Sequence, residues 1–237
     1  MKLKRIFKWL LALFLLGVVV LVAFLLSLDS ILRVLAVHNI KAQTGMNAEL
    51  GQFHLGLLEP VITIKNLKLY NPPGFGDAPF LVIREIHVEY DRDALRSKQE
   101  IHLTLMRFDL GELDIVKNQT GQTNLFGLVL GSPLQKSTGP GPSPAVAELQ
   151  RQTGLTFQAV DYLNVSIGTF KYIDLKDSRH NRTQKIGIDN YVMKNVKGPA
   201  DLAGLAFLIA LRSGDFFPSL MGEKPGGSPL DLLKLLQ

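Results

Sequence analysis

The sequence contains no cysteine. Disulfides, thiolate metal sites and cysteine nucleophiles are thereby excluded, and folding requires no oxidising compartment. The 21 Gly and 12 Pro follow no three-residue period, so nothing collagen-like is present. No nucleophile elbow, phosphate-binding loop or dinucleotide fingerprint occurs. No acid precedes Asp29, although Lys2, Lys4, Arg5 and Lys8 crowd the N-terminal tip. Removing these four from the 26 basic residues leaves 22 against 21 acids. The formal charge of +5 therefore reports a basic tip, and no nucleic-acid partner is expected.

What is present is enough apolar material to fold. Apolar residues make up 46% of 237 and charged residues 20%, which suits one large domain or two small lobes and not a disordered chain. Trp9 to Leu28 is an uncharged run of twenty residues. At ~1.5 Å per residue it spans about 30 Å, a bilayer hydrocarbon core. A cleaved signal peptide would have a shorter apolar region and a small-x-small site, and Ala23 to Leu28 offers none. The cations before the run predict a single-pass anchor with a cytoplasmic N-terminus and everything after Asp29 on the other side.

The spacing predicts a helix over Ser30 to Gln43, with Gly45 past its end. From Glu49 to Asn118 the period becomes two. Ile62 and Ile64, then Leu67 and Leu69, alternate with polar residues. Val82, Ile86, Val88 and Tyr90 share a parity opposite Glu85, His87 and Glu89, and Ile101, Leu103 and Leu105 alternate with His102 and Thr104. This is the pattern of half-buried antiparallel strands. The parity slips at Lys65-Asn66, near Met106 and at Gly168, which predicts bulges or bends in a twisted sheet. Asn71 to Gly76 is a turn. Gly131 to Pro144 reads as a linker, ten of its fourteen residues being Gly, Ser or Pro. A short helix (Ala145 to Gln152), strands (Ala159–Ile167, Thr169–Leu175, Lys185–Val196), a helix (Leu202 to Leu211) and a Leu-rich end after Ser228-Pro229 complete the reading.

The best enzyme-like feature is Glu85-x-His87-x-Glu89, with His102 on a neighbouring strand. A metal can use such a set, but a solvated strand face demands polar residues at the same positions, and that reading is preferred. His38, His54 and His180 have no acidic or nucleophilic neighbours at useful sequence spacing. Asn118, Asn164 and Asn181 open glycosylation-acceptor triplets, a common chance match. No catalytic residue, cofactor or metal site is assigned. The remaining signal is a sheet with one greasy face. Its candidate members are Ile62, Ile64, Val82, Ile86, Val88, Leu103, Leu105, Val165 and Ile167. Where helices leave that face uncovered, it suits acyl chains.

The order of short motifs resembles the N-terminal region of the AsmA-like family over roughly residues 1–200. The anchor is followed by Thr44-Gly45-Met46, the strand Val61 to Leu69, the turn Asn71-Pro72-Pro73-Gly74-Phe75 and the strand Ile83 to Asp91. Gly121-Gln122-Thr123-Asn124-Leu125 closes the first half, and Leu163 to Asp174 opens the second. AsmA-like proteins are bacterial envelope proteins with an inner-membrane anchor and a periplasmic β-rich body. Larger members form long apolar-lined β-grooves and are implicated in phospholipid traffic; this chain resembles only their membrane-proximal unit. The resemblance implies a non-catalytic envelope protein that binds or helps transfer phospholipid, or supports outer-membrane lipid homeostasis. Its partners would be the inner membrane, phospholipid and other envelope proteins. The rival is a structural domain that docks a partner protein through its sheet edges, without lipid. The expected organisation is a cytoplasmic tip and anchor (1–29), a first β-rich half (30–130), the linker (131–144) and a second β-rich half with C-terminal helices (145–237). The expected fold is mainly β with peripheral helices, an N-terminal transmembrane helix and a twisted or curved antiparallel sheet.

Overall fold

A computed structural model describes residues 29–42, 45–56, 59–124, 150–151, 153–214 and 216. The expected anchor, the 131–144 linker, most of the 145–152 helix and the Leu-rich C-terminal segment lie outside these residues. Among the described residues, no helix is long and apolar enough to cross a membrane.

The fold is mainly β. Six strands form one sheet in the order of the chain: β1 (Ala48–Leu55), β2 (Val61–Tyr70), β3 (Pro79–Tyr90), β4 (Glu100–Lys117), β5 (Thr156–Asp174) and β6 (Arg182–Val196). Neighbours are antiparallel except β4 and β5, which run parallel. The all-antiparallel expectation is therefore corrected to a mixed sheet. A parallel pair needs a long crossover, and here residues 118–155 connect the two strands. The two expected halves contribute four strands and two to one continuous sheet. The strands expected on either side of Gly168 are a single nineteen-residue strand, β5.

A helix lies along each edge. Helix α1 (residues 29–42) precedes β1, and Ala36, Val37 and Ile40 pack on the core. Helix α2 (Ala203–Ser213) follows β6, packing Leu205, Leu208 and Ile209 inward. Polar side chains from both helices occupy edge groups of the sheet. Leu55 N–H donates to Asp29 Oδ1 (3.2 Å), and Arg33 Nη1 donates to the Gly51 carbonyl (3.1 Å). On the far edge the Arg212 guanidinium donates to the Ile186 and Gly187 carbonyls.

The apolar residues line up across strands. One row is Phe53, Ile64, Ile86, Phe108, Val165 and Tyr191; another is Leu50, Leu67, Ile83, Leu110, Ile167 and Ile188. On β1, β2, β3 and β6 the side-chain parity reverses between these rows, and on β4 and β5 just past the second row, yet the greasy face stays on one side. The reversals fall on a line that crosses the sheet: Gly51 opposite Asn66, Arg84 beside Gly111, Gly111 beside Gly168. Asn66 takes φ 54°, a left-handed conformation that Asn tolerates better than most residues. On β6, Asn190 (φ 51°) and Asn195 (φ 57°) mark reversals in the same way. At Gly168 the reason is space: a Cβ there would lie 2.3 Å from the Gly111 carbonyl oxygen. Bulges bend their strands, so the bends share one level, as the slips at Lys65-Asn66 and Gly168 implied.

Candidate functional site

The sheet's apolar face is most fully buried along the row from Leu50 to Ile188 and on β5, and less fully on β2, β3 and β4 toward the Leu55 end. Leu50, Leu67, Ile83, Leu110, Ile167, Ile188 and Phe170 are buried. Phe170 meets Phe216 with the rings tilted and their centroids 6.1 Å apart. Toward the Leu55 end, Ile62, Ile64, Ile86, Val88, Leu103, Met106 and Phe108 are only half-buried. They lie on β2, β3 and β4, between the two edge helices. Apolar side chains on a central strand are ordinarily covered, so their partial exposure marks this patch as the candidate site.

Seven of the nine candidate residues share this face. Ile62, Ile64, Ile86, Val88 and Leu103 belong to the half-open part, while Val165 and Ile167 are buried in the sealed core. Val82 and Leu105 are corrected to the opposite face. Val82 pairs with Lys68 and Glu112, and Leu105 pairs with Glu89 and Tyr162. The reason is parity. The bulge at Arg84 reverses β3 between Val82 and Ile86, and a two-residue step reverses β4 between Leu103 and Met106. Met106 and Phe108 are the members that sequence alternation missed. Their signal was the slip near Met106, which puts Met106 in register with Ile62 through Val88.

The opposite face carries cross-strand ion pairs. Glu85 lies between Lys65 (3.8 Å) and Arg107 (3.4 Å); Arg84 meets Asp109 (2.8 Å) and Lys171 meets Glu112 (2.6 Å). His87 Nδ1 is 2.8 Å from Thr63 Oγ1 and its Nε2 is 3.2 Å from Glu89. His102 sits on the same face but faces Asp161 (2.9 Å) and Asp91 (3.8 Å). The four potential ligands are thus divided between separate ion pairs, and among the described residues no group of three is arranged to hold a metal. Tertiary folding gives His54 an acid that sequence spacing hid: Asp29 Oδ2 lies 3.0 Å away. That hydrogen bond, assisted by the Leu55 N–H, holds the Asp29 carboxyl below the ordinary carboxylate range. His180 lies near Asp174 and Asp177 in the β5–β6 turn.

A buried polar clip closes the far end of the sheet. Asn124, from the Gly121–Asn124 motif, donates to Asn71 Oδ1 (2.7 Å) and to the Asp114 carbonyl (2.8 Å), and accepts from Val116 N–H (3.0 Å). Asn71 in turn donates to the Ala78 carbonyl. The clip explains why both motifs carry Asn: one amide serves donor and acceptor together. Beside it, Asp114 is 3% exposed, and its Oδ1 has no hydrogen-bond partner. Burial, and next the Glu112 carboxylate, push its carboxyl up to about 6 against the pull of Lys171.

The arrangement offers a partly exposed apolar surface and a solvated, ion-paired back. Comparison of the chain with protein-family models, with curated proteins and with solved structures finds no match.

Proposed function

We propose that the half-open apolar face holds the acyl chains of a phospholipid, and that the protein is a non-catalytic, membrane-anchored component of the cell envelope. In this reading residues 9–28 anchor it in the inner membrane and the sheet lies in the periplasm, where it binds lipid or helps to transfer it. The observation that supports it is the contrast along one sheet face, which is buried on β5 and along the Leu50–Ile188 row and only half-buried on β2, β3 and β4 toward the Leu55 end. Each methylene taken from water there contributes about 0.8 kcal/mol, so acyl chains would supply most of the binding energy. The AsmA-like resemblance of the motifs points the same way.

The rival reading, docking of a partner strand on a sheet edge, has less in its favour. Helices line both edges, Asp29, Arg33 and Arg212 occupy edge backbone groups, and left-handed Asn190 and Asn195 deform β6. Such bulges and covers discourage strand addition. Native mass spectrometry of the full chain, released from mild detergent, tests the proposal. Bound phospholipid that survives detergent exchange is the expected result. A spectrum of lipid-free protein under conditions that retain the sheet would reject it.

A further inference from the structure

We propose that the outer face of α1 is a membrane-contact surface that holds the open end of the sheet against the bilayer. The inference rests on the anchor reading and adds to it a surface and an orientation. Helix α1 is apolar on two sides. Ala36, Val37 and Ile40 pack on the sheet, whereas Ile31, Val34 and Leu35 are 44%, 66% and 56% exposed, Val34 at the rim of the groove between α1 and β1. The spacing of 31, 34 and 35 makes a single stripe. Polar contacts with β1 prevent the helix from rolling to bury it. Asp29 is held by His54 and Leu55 N–H, and Arg33 by the Gly51 carbonyl.

Chain length says what covers the stripe. The uncharged run of the sequence ends at Leu28, so Ile31 and Leu35 follow it by three and seven residues. At ~1.5 Å per helical residue both fall within about 10 Å of the hydrocarbon boundary, in the headgroup layer. A helix with cations beside an apolar stripe suits that layer. The Asp29–Leu55 hydrogen bond carries the level of the membrane to the sheet. The strand ends near Leu55 are then membrane-proximal, and the Asn71–Asn124 clip is distal. Ile62 is in register with Leu55, and Val88 with Ile62, so the half-open rows begin at the bilayer surface. The β3–β4 connection brings exposed Arg96 and Lys98, with Asp93, to the same end.

The absence of cysteine makes the test clean. Single variants Val34→Cys, Leu35→Cys and Thr120→Cys of the full chain are labelled with an environment-sensitive fluorophore and reconstituted into phosphatidylcholine–phosphatidylglycerol vesicles. Labels at 34 and 35 should shift to the blue and lose most of their emission to brominated lipid, while the label at 120 should do neither. If the chain resists alkaline carbonate extraction but labels at 34 and 35 behave like the one at 120, the contact surface is wrong and the anchor stands. If carbonate extracts the chain, both fall. Disulfide-linked dimers of Val34→Cys in place of lipid quenching would assign the stripe to a second copy and overturn the proposal.

Discussion

Asp114 shows how one buried group leaves a mark on the whole protein. Its carboxyl titrates at about 6 in the fold instead of near 3.8, so the folded state binds the proton more tightly than the unfolded chain does. Stability contributed by the protonated form is complete below about pH 3.8 and is lost as the pH rises through 6. By pH 7 the loss reaches about 1–3 kcal/mol, at ~1.4 kcal/mol per pH unit. Asp114→Asn should therefore raise the melting temperature at pH 7 and flatten its dependence on pH between 4 and 7. Melting curves of both proteins across that range measure this; equal slopes would mean that Asp114 is hydrated in solution. Gly168 gives a steric counterpart. Its missing Cβ is occupied by the Gly111 carbonyl, so Gly168→Ala should cost more than about 2 kcal/mol, whereas an ordinary surface glycine would not. The triplet Glu85, His87 and Glu89 should behave as a solvated face. Replacing all three by Ser should cost about 0.5 kcal/mol at each glutamate, somewhat more at His87 for its Thr63 bond, and leave lipid binding in place. Loss of a bound metal in that variant, read by elemental analysis, would restore an enzymatic role.

The elements were legible wherever alternation was uninterrupted. The two helices, the Asn71–Gly76 turn and the slips at Asn66 and Gly168 all follow from residue order, because side chains of a strand alternate whatever its neighbours are. Two kinds of feature were not legible. The first is a reversal with no Gly or Asn to announce it: Arg84 bulges without either, so Val82 kept the wrong parity. The second is pairing through space. Nothing local distinguishes a β5 that returns parallel to β4 from one that returns antiparallel, and the Asp29–His54 contact joins residues 25 positions apart. The left-handed asparagines make a testable statement about the bulges. Asn66→Gly should be tolerated within a few tenths of a kcal/mol. Asn66→Val should cost about 1–2 kcal/mol, since a β-branched side chain resists that conformation. Urea unfolding of the two variants compares them directly; equal stabilities would show that φ at 66 relaxes.

At the scale of the molecule, the sheet works as two surfaces back to back. One is bound by ion pairs and faces water. The other is a core on β5 and along the Leu50–Ile188 row, and a half-buried apolar stretch on β2, β3 and β4. The composition indicated a greasy face, but not how burial varies along it, because that depends on where the described helices lie, at the edges of the sheet. Placing a charge on each part separates them. Ile167→Asp, in the sealed region, buries an unpaired carboxylate and should prevent folding. Ile62→Asp or Val88→Asp, in the half-open region, leaves the carboxylate hydrated and should preserve the fold while weakening lipid retention. The decisive measurement is therefore native mass spectrometry of the full chain beside its Val88→Asp variant, with circular dichroism to verify the sheet in both. A folded protein carrying phospholipid and an equally folded variant that has lost most of it are expected. A folded parent that never retains lipid, or a variant that retains as much as the parent, would contradict the lipid-binding reading.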